Sequence, residues 1–313
     1  MGIALLKPVP SLLGIYGAWV AISWGVYGIS GLLPQSLLDL PVVSSLYFPL
    51  TALLFVVVGC QVNAWFFIYT EPAFRKKPRM RWFFMLAVLI VSGLMYMAAV
   101  RWEINAPVFY MVYTANLIVF ANLLGAWLIK ALNRAAELIL VCVVMGLADL
   151  FSIIGGPTRH VVEAITTYYE AGMTGPPPFV DFLLIKIPVP GVDHLQPVFG
   201  VSDWIIVVFL SAATVLFKIN DNLAGRGLFR MAEVRRPSLY FPVAAGGLAA
   251  AIFTADLLHR FIPALPVIAG LFIGFLLIRH PATRQLRRSD WRVLGVFCGI
   301  MLALLLVAVM MTR

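Results

Sequence analysis

Nine predominantly apolar stretches run through this chain, at about residues 11–33, 42–69, 82–100, 106–130, 136–154, 198–217, 240–258, 263–278 and 291–311. A helix needs about 20 such residues to cross a bilayer. In hydrocarbon every backbone N–H and C=O must find a partner within the protein, which leaves helices and closed barrels as the spanning structures. Stretches this long and continuous read as helices. The expected fold is therefore an all-α polytopic membrane protein with about nine transmembrane helices. Composition agrees: 62% of residues are hydrophobic and 12% charged, against about 25% charged in a soluble domain.

The net charge of +9 does not indicate nucleic acid, because the basic residues cluster in short loops between apolar stretches, where they set topology. With the N-terminus in the cytoplasm and the spans alternating, 18 of the 23 Lys and Arg fall inside and 5 outside. The expected localisation is a multi-pass membrane protein with a cytoplasmic N-terminus and the C-terminus outside. The first apolar stretch is of membrane length with no small-residue cleavage site behind it, so no cleavable signal peptide is expected. Cys60, Cys142 and Cys298 all lie in apolar spans and read as small packing residues.

One loop, residues 155–197, is long. It opens with Gly155-Gly156-Pro157 and continues as an amphipathic helix from Thr158 to about Glu170. The run Phe179–Ile187, bounded by prolines, reads as a short strand. A strand at a membrane surface needs a partner for its backbone; a bound peptide or another loop would each serve.

Only three of the 14 acidic residues, Asp149, Asp203 and Asp256, fall within apolar spans. An ionisable group there is expensive and usually functional. Asp149 lies five residues before the outer end of its span and Asp203 five after the outer start of the next. At 1.5 Å per residue both are about 7–8 Å below the outer edge. Two carboxyls at such a site share one proton: the ionised one activates water while the protonated one polarises a carbonyl. Proton relay in a transporter is the other reading of intramembrane aspartates, and the residues alone leave both open. Asp256 has Arg260 at i+4 and reads as half of a local ion pair. Asn63, Asn116 and Asn122 read as interhelical contacts. The histidines lack metal-ligand spacing, so no metal is expected.

Three separated motifs then resemble a known family, the intramembrane aspartyl proteases of presenilin, signal peptide peptidase and their prokaryotic relatives. The first is Ala148-Asp149-Leu150-Phe151-Ser152, followed by Gly156-Pro157-Thr158. The second is Gly200-Val201-Ser202-Asp203, in the place of Gly-x-Gly-Asp. The third is Pro263-Ala264-Leu265-Pro266, which matches the family's Pro-Ala-Leu segment. The resemblance covers about residues 136–280; the first four spans match as generic membrane helices. It implies a presenilin-like bundle in which Asp149 and Asp203 are catalytic, Gly200, Val201, Ser202, Pro263, Ala264 and Leu265 shape the substrate groove, and the strand-like Leu184, Ile185, Lys186 and Ile187 pair with an unwound substrate. It implies no cofactor. The partners would be membrane lipid and a transmembrane peptide or membrane-protein substrate, with the orientation of the signal peptide peptidase branch.

The chain departs from the family at two places: Ala148 stands for the usual Tyr and Ser202 for the second Gly. These motivate an alternative, a catalytically silent member that binds membrane proteins. A proton-coupled transporter is a further alternative. The expected organisation is an N-terminal helical part (1–135), a motif-bearing part (136–280), and a basic loop with one extra helix (281–313).

Overall fold

A computed structural model describes residues 9–30, 32, 41–104, 106–154, 157–173, 175 and 177–311. Gly155 and Gly156, singled out in the long loop, and Lys7 and Arg313, counted among the inside and outside residues, lie outside the described set. The chain is predominantly helical and divides into two compact units, interleaved in sequence: Met1–Leu128 with Gly175–Pro242, and Ile129–Thr174 with Val243–Arg313. Four helical stretches are long and apolar enough to cross a membrane: Val9–Ile29, Leu46–Lys76, Pro78–Trp102 and Pro107–Ala131. The protein is a multi-span helical membrane protein.

The first unit contains α1 (Val9–Ser30), α2 (Pro41–Trp65), α3 (Glu71–Lys76), α4 (Pro78–Trp102), α5 (Pro107–Leu128), β1 (Leu184–Ile187), β2 (Gln196–Gly200), α8 (Val201–Leu216) and α9 (Leu228–Val234). A π-helical turn, Phe66–Thr70, joins α2 to α3. The core helix is α5, which packs against α1, α4, α8 and β1 and buries most of its residues from Tyr110 to Ala126. By contrast α4 leaves Phe83, Leu86 and Leu94 more than half exposed. An apolar helix that buries little against protein is one whose solvent is lipid tails. Where the chain turns from α3 into α4, Arg81 forms a buried ion pair with Glu71, and its Nη1 donates to the Ala126 carbonyl at 3.0 Å. Those contacts offset the desolvation of both charges.

The second unit contains α6 (Glu137–Ile154), α7 (Pro157–Glu170), α10 (Val243–Leu258), α11 (Ala264–Arg279) and α12 (Arg288–Met311). Here α11 is central, packed against both α6 and α10. A Cβ on Gly247 of α10 would stand 2.7 Å from the Ile268 Cα, so these two backbones approach as closely as only a glycine permits. Arg134 links the α6 entrance to α12 through Asp290, at 2.9 and 3.2 Å, and also pairs with Glu137.

Several expectations are corrected. The strand does not span 179–187: residues Phe179–Leu183 form a 3₁₀ turn, and the strand begins at Leu184. The cause is Phe182, buried against Tyr96, Tyr110 and Tyr113 at centroid distances of 4.8–6.0 Å, while Asp181 turns inward to an ion pair with Lys186. The span expected from 198 starts as strand, and its helix begins at Val201. That helix, α10 and α11 have 16 residues each, about 24 Å at 1.5 Å per residue. Asp256 and Arg260 do not join the ion pairs of the second unit, which Arg134 makes with Glu137 and Asp290 among the described residues. Asn116 does contact a neighbouring helix, donating to Met95 Sδ at 3.3 Å. The Asn63 and Asn122 side chains are buried with no hydrogen-bond partner among the described residues. Cys60 and Cys142 are packed inside, whereas Cys298 is exposed on α12.

Candidate active site

In the second unit the first and third motifs come together. Gly146 lies one turn before Asp149 on the same face of α6, and a Cβ there would stand 3.6 Å from the Pro266 Cα and 3.5 Å from the Ala269 Cβ. That face is therefore laid against the first turns of α11. Pro263 is the extended residue before α11, with φ −63° and ψ 124°, and it supplies no side-chain cap. The first N–H groups of a helix have no intrahelical acceptor. The backbone N–H of Leu265, one of these, faces the Asp149 carboxylate as a hydrogen-bond donor. The Asp149 carboxylate thus sits at the positive end of α11, held by the Pro263–Pro266 segment. Asp149 is itself half-buried.

In the first unit the second motif is the corner between β2 and α8. Gly200 is extended, with φ −75° and ψ 151°, and Val201 and Ser202 open the helix. Asp203 is the third helical residue, in the first turn rather than five residues inside the span. Its Oδ2 accepts a hydrogen bond from the Gly200 N–H at 2.9 Å, the backward reach of an N3 carboxylate in a capping box. A Cβ at position 200 would lie 3.1 Å from Ser202 Oγ and 3.3 Å from Asp203 Oδ2. Any side chain there would displace both. Ser202 points outward and is exposed. Trp204, which follows Asp203, is fully buried, with its ring 5.9 Å from that of Phe199. It anchors the corner that presents Asp203.

The strand-like segment has a partner inside the chain. β1 and β2 pair antiparallel, with Leu184 opposite Gly200, Ile185 opposite Phe199, Lys186 opposite Pro197 and Ile187 opposite Gln196, and with a bulge between Ile185 and Lys186. The expected substrate-binding strand is thus docked on the strand that leads to Asp203. Ile185, Lys186 and Ile187 are buried, and the Lys186 N–H donates to Thr114 Oγ1 of α5 at 3.4 Å. The Lys186 ammonium is also committed inward: it pairs with Asp181 and lies 4.2 Å from the centre of the Tyr110 ring. Burial pushes its pKa down, and the Asp181 carboxylate opposes that shift. The more accessible strand is β2, whose Gln196, Pro197 and Val198 are half-buried.

Several carboxyls outside the apolar spans are buried, Asp181 and Asp221 most completely. Asp221 follows α8 in a polar Asn220-Asp221-Asn222 trio and reads as a solvated loop residue, yet it is 1% exposed. Tyr240 Oη donates to it, at 3.3 and 3.5 Å from its two oxygens, and Thr214 adds a further hydrogen bond. Burial raises its pKa to about 7, against those hydrogen bonds. Gln61 of α2 holds the same segment in place: its Nε2 donates to the Tyr240 carbonyl at 2.8 Å and its Oε1 accepts from the Tyr240 N–H at 3.3 Å. The only sequence signal was an acid a few residues beyond an apolar span.

No protein-family model matches this chain, and neither a curated protein nor a solved structure matches it.

Proposed function

We propose that this protein is an intramembrane aspartyl protease that hydrolyses peptide bonds within transmembrane segments, with Asp149 and Asp203 as its two catalytic carboxyls. The observation that carries the reading is the close packing of the Asp149-bearing face of α6, at Gly146, on Pro266 and Ala269 at the start of α11. It ties the first motif to the Pro-Ala-Leu motif, as a groove built beside a catalytic aspartate requires. The corner holding Asp203 supports it further, with Gly200 kept free of a side chain beside that carboxylate.

In this reading the two carboxyls share one proton. The ionised one removes a proton from water and the protonated one polarises the scissile carbonyl, with no covalent intermediate. The substrate segment must unwind first, because a helical peptide hides its carbonyls in hydrogen bonds. An unwound segment adds to an outer edge of the β1–β2 sheet, where backbone pairing holds it in register. The reading includes a presenilin-like bundle of about nine spans with the loop between the catalytic helices outside, and so substrates whose N-terminus is inside.

The deciding experiment incubates the purified protein in detergent with a helical transmembrane peptide and identifies products by mass spectrometry. Cleavage is expected from the native chain and from neither Asp149→Ala nor Asp203→Ala. Products that persist in either variant would remove the proposed roles.

One observation favours a second reading, a silent family member that binds membrane proteins: the Asp203 carboxylate caps its own helix through Gly200, a structural use of that side chain. A chain that binds the peptide and never cleaves it, with or without Ser202→Gly, would be this protein.

A further inference from the structure

Two basic segments far apart in sequence are neighbours at one end of the first unit. α9 packs against the Phe66–Thr70 turn that leads into α3. Leu228 and Met231 of this helix are buried, while Arg230, and Arg235 and Arg236 just after the helix, are exposed. Lys218 and Arg226 are exposed on the same connection, and Arg75, Lys76, Lys77 and Arg79 on the other. Against these nine cations the two segments expose one acid, Glu233; Glu71 and Asp221 are buried, the first on Arg81 and the second on Tyr240. Among the cations stand three aliphatic side chains facing outward: Leu223 at 63% exposure, Val234 at 59% and Leu239 at 58%.

Topology accounts for positive charge in such loops, but it asks for no exposed leucine or valine among the arginines. Aliphatic groups interleaved with Arg and Lys, beside the ends of membrane helices, are the composition of a surface that lies in the headgroup layer. There the aliphatic side chains enter the acyl boundary and the cations meet phosphate oxygens. Arg suits this role, since its planar guanidinium donates two parallel hydrogen bonds to one phosphate.

We infer that this end of the first unit is a docking surface for anionic phospholipid headgroups, formed by residues 75–79 together with residues 218–239. It holds phosphatidylglycerol-type lipids in preference to zwitterionic ones, whatever the state of Asp149 and Asp203.

The test is native mass spectrometry of the full chain in detergent, titrated with phosphatidylglycerol and with phosphatidylcholine. The native chain is expected to retain the anionic lipid by a wide margin. The variant Arg230→Gln/Arg235→Gln/Arg236→Gln should lose that preference by about tenfold or more, since each basic group near an anionic surface contributes several-fold. Replacing the same three residues by Lys should keep most of it, which separates lost charge from lost folding. The control Arg279→Gln/Arg292→Gln neutralises exposed cations of the second unit and should leave the preference unchanged. Equal retention of the two lipids by the native chain would overturn the proposal. So would equal losses per neutralised charge in the patch variant and the control, because net charge would then explain the effect. Displacement of the lipid by inorganic phosphate as readily as by phosphatidylglycerol vesicles would also overturn it, in favour of a free-anion site.

Discussion

The Gly200 N–H donates a hydrogen bond to Asp203 Oδ2 at 2.9 Å, across the corner where β2 becomes α8. The carboxylate is therefore oriented by the backbone of its own corner. Asp149 is treated in the same way by the Leu265 N–H.

Replacing either carboxyl should abolish cleavage without unfolding the chain. Asp149→Asn and Asp203→Asn keep the size of the side chain and an acceptor for the Leu265 or Gly200 N–H, so the native retention volume in size-exclusion chromatography should persist. Loss of an acid–base group lowers turnover by about 10²–10⁴-fold. A quenched transmembrane peptide read by fluorescence measures this; a fall of less than about tenfold would contradict the assignment.

Position 200 should tolerate less than position 202. Gly200→Ala puts a Cβ 3.1 Å from Ser202 Oγ and 3.3 Å from Asp203 Oδ2, so both side chains must give by a few tenths of an ångström, and displacement of the carboxylate should lower activity with a stability loss of at most about 1 kcal/mol. Ser202→Gly removes an exposed side chain that touches no core, leaves the backbone beside Asp203 bare, and under the proposed function should raise the cleavage rate. Parallel rates on one peptide, with thermal melts, check both.

Lys186→Met should be among the most destabilising single changes outside the helices. It leaves Asp181, fully buried, without its ammonium partner, and an uncompensated buried charge costs about 3–5 kcal/mol. The double variant Asp181→Leu/Lys186→Met should recover most of that loss. Melting temperatures of the three variants in one detergent test it; a double variant no more stable than the single would show that the pair is not the cause.

Asp221 should make stability depend on pH. Its folded pKa is raised by burial to about 7, above the unfolded value of about 3.9. The native state therefore binds more protons than the unfolded chain between these values. Its stabilising contribution is complete below about pH 4 and is lost as pH rises through about 7. Asp221→Asn should flatten this part of the profile and leave the variant more stable than the native chain above pH 7. Chemical or thermal unfolding followed from pH 5 to 8.5 reads the difference; parallel profiles would exclude a raised Asp221.

Much of this architecture was legible without coordinates. Apolar length identified the helices, because a backbone in lipid has few ways to satisfy itself, and the edges of α4, α5, α6 and α11 fall within a few residues of those expected. Local chemistry also showed the amphipathic helix Pro157–Glu170 and the strand near Ile187. What the chain alone did not reveal were long-range pairings. β1 has its partner in Gln196–Gly200, a stretch whose last residues look like the start of a helix until the Gly200 cap and the buried Phe199 and Trp204 define a corner. Asp221 sits in a polar loop, so its composition reads as solvated, and Lys186 sits in a short strand-like run whose neighbours the sequence does not name. Only packing against Tyr240 and Thr214, and against Asp181 and Tyr110, puts them inside. Burial of a polar group is a property of what surrounds it, and residues 21 and 72 positions away in sequence lie against Asn116 and Lys186. Sequence by itself determined that this is a helical membrane protein carrying three spaced motifs. Tertiary structure decided that the start of α11 lies against the Asp149 face of α6, because donors left over at a helix start meet a distant acceptor only when another helix is brought against them, whereas the Gly200 N–H meets Asp203 within its own corner.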